Sequence, residues 1–518
     1  MPRPGFGNLP TEILHLIAQE IEEPSHRLCL ALCSHTFSDL FLPLLYQDID
    51  LSNCDTKAVI CLVQTLLRNP RLASCTQTLE INDWSTDLNS DANHYDVPEI
   101  LPSPNSELVF DSILIHGAVQ KFFTSSDDDA ISKFMAHLAA GNEDAWVGVL
   151  LFALPNLTEL SMVVPYGTFF PLRLVERAAA RLPPFDSQPA LTHLSHLFVK
   201  WWDTENSLDS SAVEPFYFFP SMRRVVGEQI SDYPSEEEED DEGVYDDERL
   251  DSFDRGRTAY LENKPTTSTV TEIEMARSST TTGMIAQIKI CQNLKSFTFE
   301  HADSFEYFSS FLPKDFARSL AHVKHSLEHL WLSYDDYHFN GQCYEGDDEV
   351  FGSLAEYTVL KSLRMSVENL IGSDALLNPE DIVLSPPGRQ RLAHLLPASI
   401  ESITVDNVSK RNCPGALMLL KDLVEPSSFA RYTPQLKKLR LEGHFAIVNQ
   451  PNQPLIMTTL DGPEPVISPE ILVSAGELQD LCSHVGVVFN LLDSHMVLRF
   501  RQLRARHEEW QKSQAGTT

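Results

Sequence analysis

A short apolar pattern, L-x-x-L-x-L, recurs along most of this 518-residue chain, with Ile, Val, Met or Phe replacing some of the leucines. The starts of most neighbouring members are 24 to 40 residues apart. Helical stretches such as 316–323 and 348–357 lie between them. The eight clear members begin at Leu157, Leu191, Val270, Leu294, Leu327, Leu360, Ile400 and Leu436, and a weaker one begins at Met222.

A strand followed by a helix at this period buries its apolar side chains only when it stacks on neighbouring units. The spacing therefore predicts an α/β solenoid built from strand-plus-helix units. A single α/β domain whose strands share this phase by coincidence is the alternative.

The pattern resembles leucine-rich repeats, in particular the long irregular repeats that follow F-boxes in many filamentous-fungal proteins. Regular repeats place Asn or Cys three residues beyond the last Leu, to satisfy backbone groups of the turn. Without that asparagine ladder we expect a distorted arc of unequal units. The residues at these positions here are Pro165, Ser278, Ala302, Asp335, Glu368, Val408 and His444.

The N-terminal segment carries two apolar helical patterns. Ile13, Ile17 and Ile21 repeat every four residues after Pro10, which suits a first helical turn. A second stretch begins after Pro24. Helices this short and apolar cannot bury their faces against one another alone, so we expect them to need a partner. The apolar side of the second stretch consists of Leu28, Cys29, Leu32, Cys33, Phe37 and Leu40.

Residues 9 to about 46 resemble the F-box, a helical module that joins a substrate receptor to a cullin–RING ubiquitin ligase. Leu9-Pro10 matches its Leu-Pro, and residues 30–37 follow its L-x-x-V-S-R-x-F/W segment, with Cys33 in place of Val and His35 in place of Arg. The resemblance implies binding to a Skp-type adaptor and, through it, to a cullin scaffold. Helices that merely cap the following domain are the alternative. The adaptor-binding residues it implies are Leu9, Pro10, Ile13, Ile17, Leu28, Leu32 and Phe37.

Residues 231–254 contain thirteen acidic residues among 24 and one Arg. Such a run repels itself, so we expect a disordered insert over 231–267, acting either as a solvated spacer or as a docking segment for a basic partner. Ser235 precedes four consecutive Glu residues and is a candidate site for an acidophilic kinase.

The formal net charge of −35 argues against nucleic acid and anionic membrane as partners. The longest apolar run, near 147–154, is too short to span a bilayer, and the first ten residues lack a signal core. Nine cysteines without a C-x-x-C pair indicate neither a disulfide framework nor a zinc site. We therefore expect a cytoplasmic or nuclear protein.

No motif for catalysis or for binding a cofactor is present. The densest metal-capable group is His322, His325 and His329 with Asp335 and Asp336, but His329 falls in a predicted strand, so the ligands would not converge. We therefore expect a non-enzymatic chain with no metal and no cofactor.

Aromatic residues beside carboxylates follow or occupy two of the predicted strands. At the rim or on the concave side of an arc they would anchor a target protein, and the net negative charge favours a basic one. Burial between repeats is the alternative for these aromatics. The candidate target-binding residues are Trp201, Trp202, Trp331, Tyr334, Asp335 and Asp336.

These patterns predict an F-box-like module at 1–52, repeats at 53–230, the acidic insert at 231–267, further repeats at 268–500 and a tail at 501–518. The function they imply is substrate recognition for an SCF-type ligase, with degradation of the target by the proteasome. A ligase-independent binding scaffold built on the same repeats is the alternative.

Overall fold

The computed structural model describes residues 9–21, 23–52, 55–82, 84–86, 102–204, 206–232, 252–302, 311–334, 349–372, 392–447, 466–494 and 496. The chain divides into two compact units. Unit 1 comprises Met1–Gly227 and Tyr233–Val270, and unit 2 comprises Glu228–Asp232 and Thr271–Thr518.

Helices, singly or in runs of two or three, lie between most of the strands in both units. In unit 1 they are α1 Thr11–Gln19, α2 Pro24–Ala31, α3 His35–Leu45, α4 Thr56–Arg68, α5 Pro70–Ala73, α6 Ser112–Val119, α7 Asp128–Ala140, α8 Glu143–Phe152, α9 Phe170–Ala179, α10 Ser210–Val213 and α11 Ser252–Asn263. In unit 2 they are α12 Thr282–Ile290, α13 Pro313–Leu320, α14 Val367–Ile371, α15 Leu392–Leu395, α16 Cys413–Val424, α17 Pro426–Tyr432 and α18 Pro469–Val485. Short 3₁₀ helices are Gln120–Phe122, Glu214–Phe218 and Ala321–Val323.

The strands are short, as the repeat pattern predicts. They are β1 Asp48–Asp50, β2 Thr78–Ile81, β3 Glu159–Val164, β4 His196–Trp201, β5 Leu208–Asp209, β6 Arg224–Glu228, β7 Ile230–Ser231, β8 Glu272–Ser278, β9 Ser296–His301, β10 His329–Tyr334, β11 Ser362–Ser366, β12 Ser402–Ser409, β13 Lys438–His444, β14 Ala446–Ile447, β15 Val466–Ile467 and β16 Val488–Asp493.

Strands of unit 1 are ordered β1-β2-β3-β4-β6. The pairs β1–β2, β2–β3 and β3–β4 are parallel, and their register places Ile49, Leu79, Leu160 and Leu197 side by side. All four side chains are buried. Sequence neighbours are thus also neighbours in space, as in a solenoid of stacked strand–helix units.

Strands of unit 2 are ordered β8-β9-β10-β11-β12-β13-β16, and each successive pair is parallel. Their register forms two rows of apolar side chains that run across the strands. The first row is Ile273, Phe297, Leu330, Leu363, Ile403, Leu439 and Phe489. The second row is Met275, Phe299, Leu332, Met365, Val405, Leu441 and Leu491.

The predicted α/β repeat fold is confirmed, with one register corrected. Leu160 pairs with Leu197, so the repeat assigned to Leu191 begins at Leu194 instead. The error arose because Leu191, Leu194 and Leu197 are equally spaced and fit the pattern in two ways. The pattern also missed β16, because Gly486, with a left-handed φ of 77°, occupies the position of its first apolar residue.

A polar residue directly before the first apolar position joins consecutive repeats. The hydroxyl of Ser326 donates to the carbonyl of Leu294 at 2.9 Å, and the hydroxyl of Ser399 donates to the carbonyl of Leu360 at 2.8 Å. In unit 1 the amide of Asn156 donates to Ser74 O at 2.7 Å. These side chains satisfy carbonyl groups at the strand starts, in a chain that lacks the asparagine ladder at the strand ends.

The N-terminal helices α1–α3 have a small core of their own, which corrects the expectation that they cannot bury their faces against one another. The guanidinium of Arg27 donates to Ile21 O at 2.6 Å and to Leu44 O at 2.9 Å, which ties the helices together. Ser34 caps α3 by accepting a hydrogen bond from Phe37 N. The buried residues of this core are Leu14, Ala18, Ala31, Phe37, Leu40 and Phe41.

The acidic segment ends in an ordered helix, which corrects the predicted insert boundary of 267. Helix α11 begins at Ser252, whose backbone N–H donates to Asp129 at 2.9 Å. Phe253 is buried, with its ring 5.1 Å from that of Phe169. Tyr260 is buried and donates its hydroxyl hydrogen bond to Glu214 at 2.8 Å. The expected disorder fails for 252–267, while 233–251 lies outside the described residues.

We expect Phe253→Ala to destabilise the protein, because it removes a buried ring from an aromatic cluster of unit 1. A buried Phe→Ala change costs about 3–5 kcal/mol. Since 1 kcal/mol shifts the Tm of a domain this size by about 2–4 °C, the apparent Tm should fall by about 10 °C in calorimetry.

Leu261→Ala is the matched control, since Leu261 lies on the same helix but is 54% exposed. Its apparent Tm should stay within about 2 °C of the parent protein. Equal melting temperatures for the two variants would contradict the packing of α11.

Candidate functional site

The N-terminal module leaves a set of large apolar side chains exposed. Ile13 and Leu16 are three residues apart on α1, and Leu28 lies four residues before Leu32, so each pair occupies one side of its segment. Exposed apolar residues that cluster in this way are typical of a protein-binding surface. The set is Leu9, Ile13, Leu16, Leu28 and Leu32.

The predicted adaptor-binding residues differ in how exposed they are. Pro10 is exposed and Ile17 is half-buried. Phe37 is buried, and its ring packs edge-on against Phe41 with 5.9 Å between centroids. It therefore belongs to the core of the module, which corrects its assignment as a contact residue. Sequence reasoning missed Leu16, although its position three residues after Ile13 was the signal.

Unit 2 presents two rows of outward-facing side chains on its strands, which alternate with the buried rows. One row consists of Glu272, Ser296, His329, Ser362, Ser402, Lys438 and Val488. The other consists of Glu274, Thr298, Trp331, Arg364, Thr404, Arg440 and Asn490. We call this surface the strand face of unit 2.

Trp331 is the large aromatic residue of the strand face, and 41% of it is exposed. The Arg364 guanidinium lies 5.7 Å from the centroid of its ring, within the range of a cation–π contact. Arg364 is in turn bound by Asp406 at 2.8 Å and by Glu442 at 3.0 Å. Asp406 and Glu442 thus fix the position of the Arg364 guanidinium, which in turn packs against the indole ring of Trp331.

Tyr334 follows at the end of β10 and is half-buried. Its ring packs edge-on against His301 and Phe311, with centroids 5.8 Å and 5.3 Å away. Asp335 and Asp336, which were predicted to meet a basic target, lie outside the described residues, as does Ser235.

In unit 1 the two adjacent tryptophans differ sharply. Trp201 is 3% exposed, and its ring nitrogen donates to the Asp203 carboxylate at 3.1 Å. It is a core residue, which corrects its assignment as a target anchor. Trp202 is 54% exposed.

Charged side chains alternate in sign along the edge where the strands of unit 2 begin. Lys361 pairs with Glu328 at 2.5 Å, and Lys437 pairs with Glu401 at 2.6 Å. Hydrogen bonds from these lysines hold the pKa values of both carboxyl groups below their usual range. Because these charges are satisfied within the protein, they link neighbouring repeats rather than attract a partner.

Histidines of the candidate metal cluster do not converge. Both ring nitrogens of His322 lie on backbone carbonyl oxygens, of Ser319 at 2.8 Å and of Cys291 at 2.9 Å. His325 instead contacts Thr358 at 3.4 Å. Across the described part of the chain, no three His, Cys, Asp or Glu side chains come close enough to hold a metal ion.

The strongly perturbed titratable groups are buried structural residues. Burial raises the pKa of Asp144 to about 7 and of Cys413 to about 12, and it lowers that of His137 to about 4. Asp144 accepts hydrogen bonds from the backbone N–H groups of Phe169 at 3.0 Å and Phe170 at 2.8 Å, at the start of α9. These bonds favour its charged form, but desolvation outweighs them.

A shallow pocket of unit 1 offers little for a small molecule. It is lined by Thr168, Arg173, Glu176 and Arg257, among others, and its volume of about 300 Å³ includes space open to solvent. Glu176 pairs with Arg173 at 2.9 Å and with Arg257 at 3.1 Å, so the charges of this pocket are already paired with one another.

Comparison with known families gives one result. The family model "Leucine-rich repeat domain" matches residues 257–452, which include most of the strand face of unit 2. Domains of this kind are typically non-catalytic modules that bind proteins, so the match supports a protein-binding role. No curated protein matches the chain. None of the described helices combines the length and apolarity needed to cross a bilayer.

We expect Asp144→Asn to change how stability depends on pH. The folded state keeps the Asp144 proton up to about pH 7, whereas the unfolded chain releases it near its ordinary value of 3.8. This group therefore favours the folded state at low pH, and its contribution is lost as pH rises toward 7. Asn accepts the same N–H bonds without ionising, so the Tm of the variant relative to the parent should rise by about 5 °C between pH 5 and pH 8.

Parallel calorimetry of both proteins across this range is the measurement. Asp186→Asn is the control, because it makes the same substitution at an exposed position of unit 1 and should change the Tm little. A constant difference between Asp144→Asn and the parent would refute the raised pKa.

Proposed function

We propose that this chain is the substrate-recognition subunit of an SCF-type cullin–RING ubiquitin ligase. Its N-terminal module binds a Skp-type adaptor and thereby a cullin scaffold, and its repeats bind the protein to be ubiquitinated. Ubiquitin transfer belongs to partner subunits, and degradation of the target by the proteasome follows from it.

The exposed apolar residues of the N-terminal module are the observation that carries this proposal. The module resembles the F-box from Leu9 to about residue 46, and its own core explains how it stays folded while Ile13 and Leu32 remain accessible. A helical pair that merely capped the next domain would have no need to expose them. Burying two such side chains in an interface contributes roughly 3–6 kcal/mol of transfer free energy.

The repeats support the second half of the proposal. A leucine-rich repeat domain supplies a protein-binding surface, and the strand face of unit 2 presents a held aromatic residue, Trp331. Aromatic and arginine side chains carry most of the binding energy in protein interfaces. A receptor with these two surfaces contributes proximity and orientation, which alone accelerate a reaction between its bound partners.

We expect Ile13→Asp combined with Leu32→Asp to abolish adaptor binding. Both side chains are exposed, so the charges cost little in the free protein, but each would be buried without a partner in the complex. The measurement is co-purification of the full chain with a recombinant Skp-type adaptor, alongside circular dichroism to show an unchanged fold.

Val473→Asp is the control, because Val473 is an exposed apolar residue on α18 of unit 2. It should retain full adaptor binding. If the parent protein binds no adaptor, or the double variant binds as well as the parent, the ligase role is ruled out, and the repeats act as a ligase-independent scaffold.

Trp331→Ala should weaken binding of the target while leaving the fold intact. Truncation of an aromatic anchor in an interface costs about 2 kcal/mol or more, which is about thirtyfold in affinity. The target set is defined by proteins that co-precipitate with the parent chain when the proteasome is inhibited. Quantitative mass spectrometry then compares the variant with the parent.

Leu472→Ala is the control for this second test, since Leu472 is an exposed apolar residue on helix α18 and is not part of the strand face. Trp202→Ala, measured in parallel, tests whether the exposed tryptophan of unit 1 contributes to the same targets. Full recovery of every target by Trp331→Ala would exclude the strand face of unit 2 as the binding surface.

A further inference from the structure

We infer that the strand face of unit 2 binds an extended acidic segment of its partner, with an aromatic or large aliphatic residue on Trp331 and carboxylates on Lys438 and Arg440. This inference rests on the proposed target-binding role of that surface and specifies the chemistry of the target. It also replaces the basic target that the net charge of the chain suggests.

Charged side chains are distributed unevenly over the strand face of unit 2. From β10 to β13 the face carries three basic residues, Arg364, Lys438 and Arg440, and the acidic residues beside them are Glu442 and the buried Asp406. This part of the face is therefore net positive in a chain whose net charge is −35. Basic residues are scarce in this chain, so the presence of three of them on strands β11 and β13 of one face is informative.

The ion pairs within this face leave part of its positive charge uncompensated. Asp406 and Glu442 are both bound by Arg364, and Glu442 also pairs with Arg440 at 3.2 Å. One carboxylate is thus shared between two guanidinium groups. Lys438 is exposed and has no ion-pair partner within the described residues. Lys438 and Arg440 therefore retain positive charge to offer to a ligand.

Trp331 is positioned to receive an apolar side chain of the ligand. Its ring is held by Arg364, while its neighbour on β9 in the same row is the much smaller Thr298. An apolar side chain can thus reach the indole on the β9 side without displacing a large residue. Because the indole is held in advance, less conformational entropy is lost on binding.

Spacing sets the length of the segment. Trp331 on β10 and Arg440 on β13 are three strands apart in one row. Neighbouring strands are about 4.8 Å apart, which gives about 14 Å, or about four residues of extended chain at about 3.3 Å each. The segment therefore carries its carboxylates about four residues away from its apolar anchor.

Acidic residues at the β8 end of the strand face determine the direction in which the segment binds. Glu272, Glu274 and Glu300 are outward-facing on β8 and β9, on the other side of Trp331. Carboxylates of a ligand placed there would lie beside these glutamates, whereas over β13 they meet Lys438 and Arg440. The acidic part of the segment therefore lies over β12 and β13.

The test begins with a phage-displayed library of random twelve-residue peptides, panned on the immobilised full-length chain and counter-selected on the Trp331→Ala variant. We expect enriched peptides to carry an aromatic or large aliphatic residue with Asp or Glu about four positions away. Enriched peptides rich in Lys or Arg, or without a fixed spacing of charge, would overturn the inference and leave the target-binding role of the face standing.

A fluorescently labelled enriched peptide then serves as the probe for anisotropy measurements. Lys438→Glu with Arg440→Glu should lower its affinity about tenfold, since two ion pairs with the peptide are lost and replaced by repulsion. The control is Lys289→Glu with Lys421→Glu, which changes the net charge equally but at helical positions of unit 2. An equal loss in both variants would show that global charge acts instead.

Two further outcomes separate this inference from the proposed function. If no peptide is enriched over Trp331→Ala, both the inference and the target-binding role of the strand face fail, whereas adaptor binding is unaffected. If deletion of residues 234–250 raises probe affinity tenfold, the chain's own acidic run is the occupant, and the inference of an external partner is overturned.

Discussion

Burial of the two apolar rows across parallel strands is the interaction on which the rest of this structure depends. Leu330 and Leu332 are buried only because the strands before and after β10 supply matching side chains in the same register. No single repeat could bury these two leucines alone, so stability accumulates from repeat to repeat. The hydrogen bonds of Ser326 and Ser399 hold this register at the strand starts, because a shift would leave carbonyl groups without their donors.

The same strand register determines which side chains are exposed on the strand face of unit 2. Side chains alternate along a strand, so the register that buries Leu330 and Leu332 turns Trp331 outward, and a slip of one residue would exchange the two faces. Trp331 therefore reaches solvent without any cost to the core. This separation explains why Trp331→Ala is expected to affect binding, whereas loss of a buried residue such as Phe253 is expected to affect stability.

Much of the fold could be predicted from the sequence, because the spacing of the leucines marks the buried positions of each strand. The strands β8 to β13 were predicted from it, and so was the helical module at the N-terminus. The alternation of buried and exposed side chains along a strand could also have shown that Trp201 is buried. It follows Leu197 and Val199 at a spacing of two residues and is buried with them. Helix α11 was missed for a different reason: the acidic run predicts disorder, although Phe253 and Tyr260 are buried. No local pattern marks these residues, because their partners, Phe169 and Glu214, are distant in sequence.

The net charge of the chain favours a basic target, whereas the charge of the strand face of unit 2 favours an acidic one. The short range of electrostatic interactions in salt solution decides between the two. At physiological ionic strength the field of a charge decays within about 8 Å, so a bound segment responds to the side chains it touches and hardly to acidic residues elsewhere. The overall charge of −35 then acts mainly on the approach of a partner. At contact, an acidic segment meets Lys438 and Arg440, whose attraction is specific because most of the chain would repel it. A basic segment would be attracted almost anywhere on this protein, so net charge alone would give it affinity without a defined site.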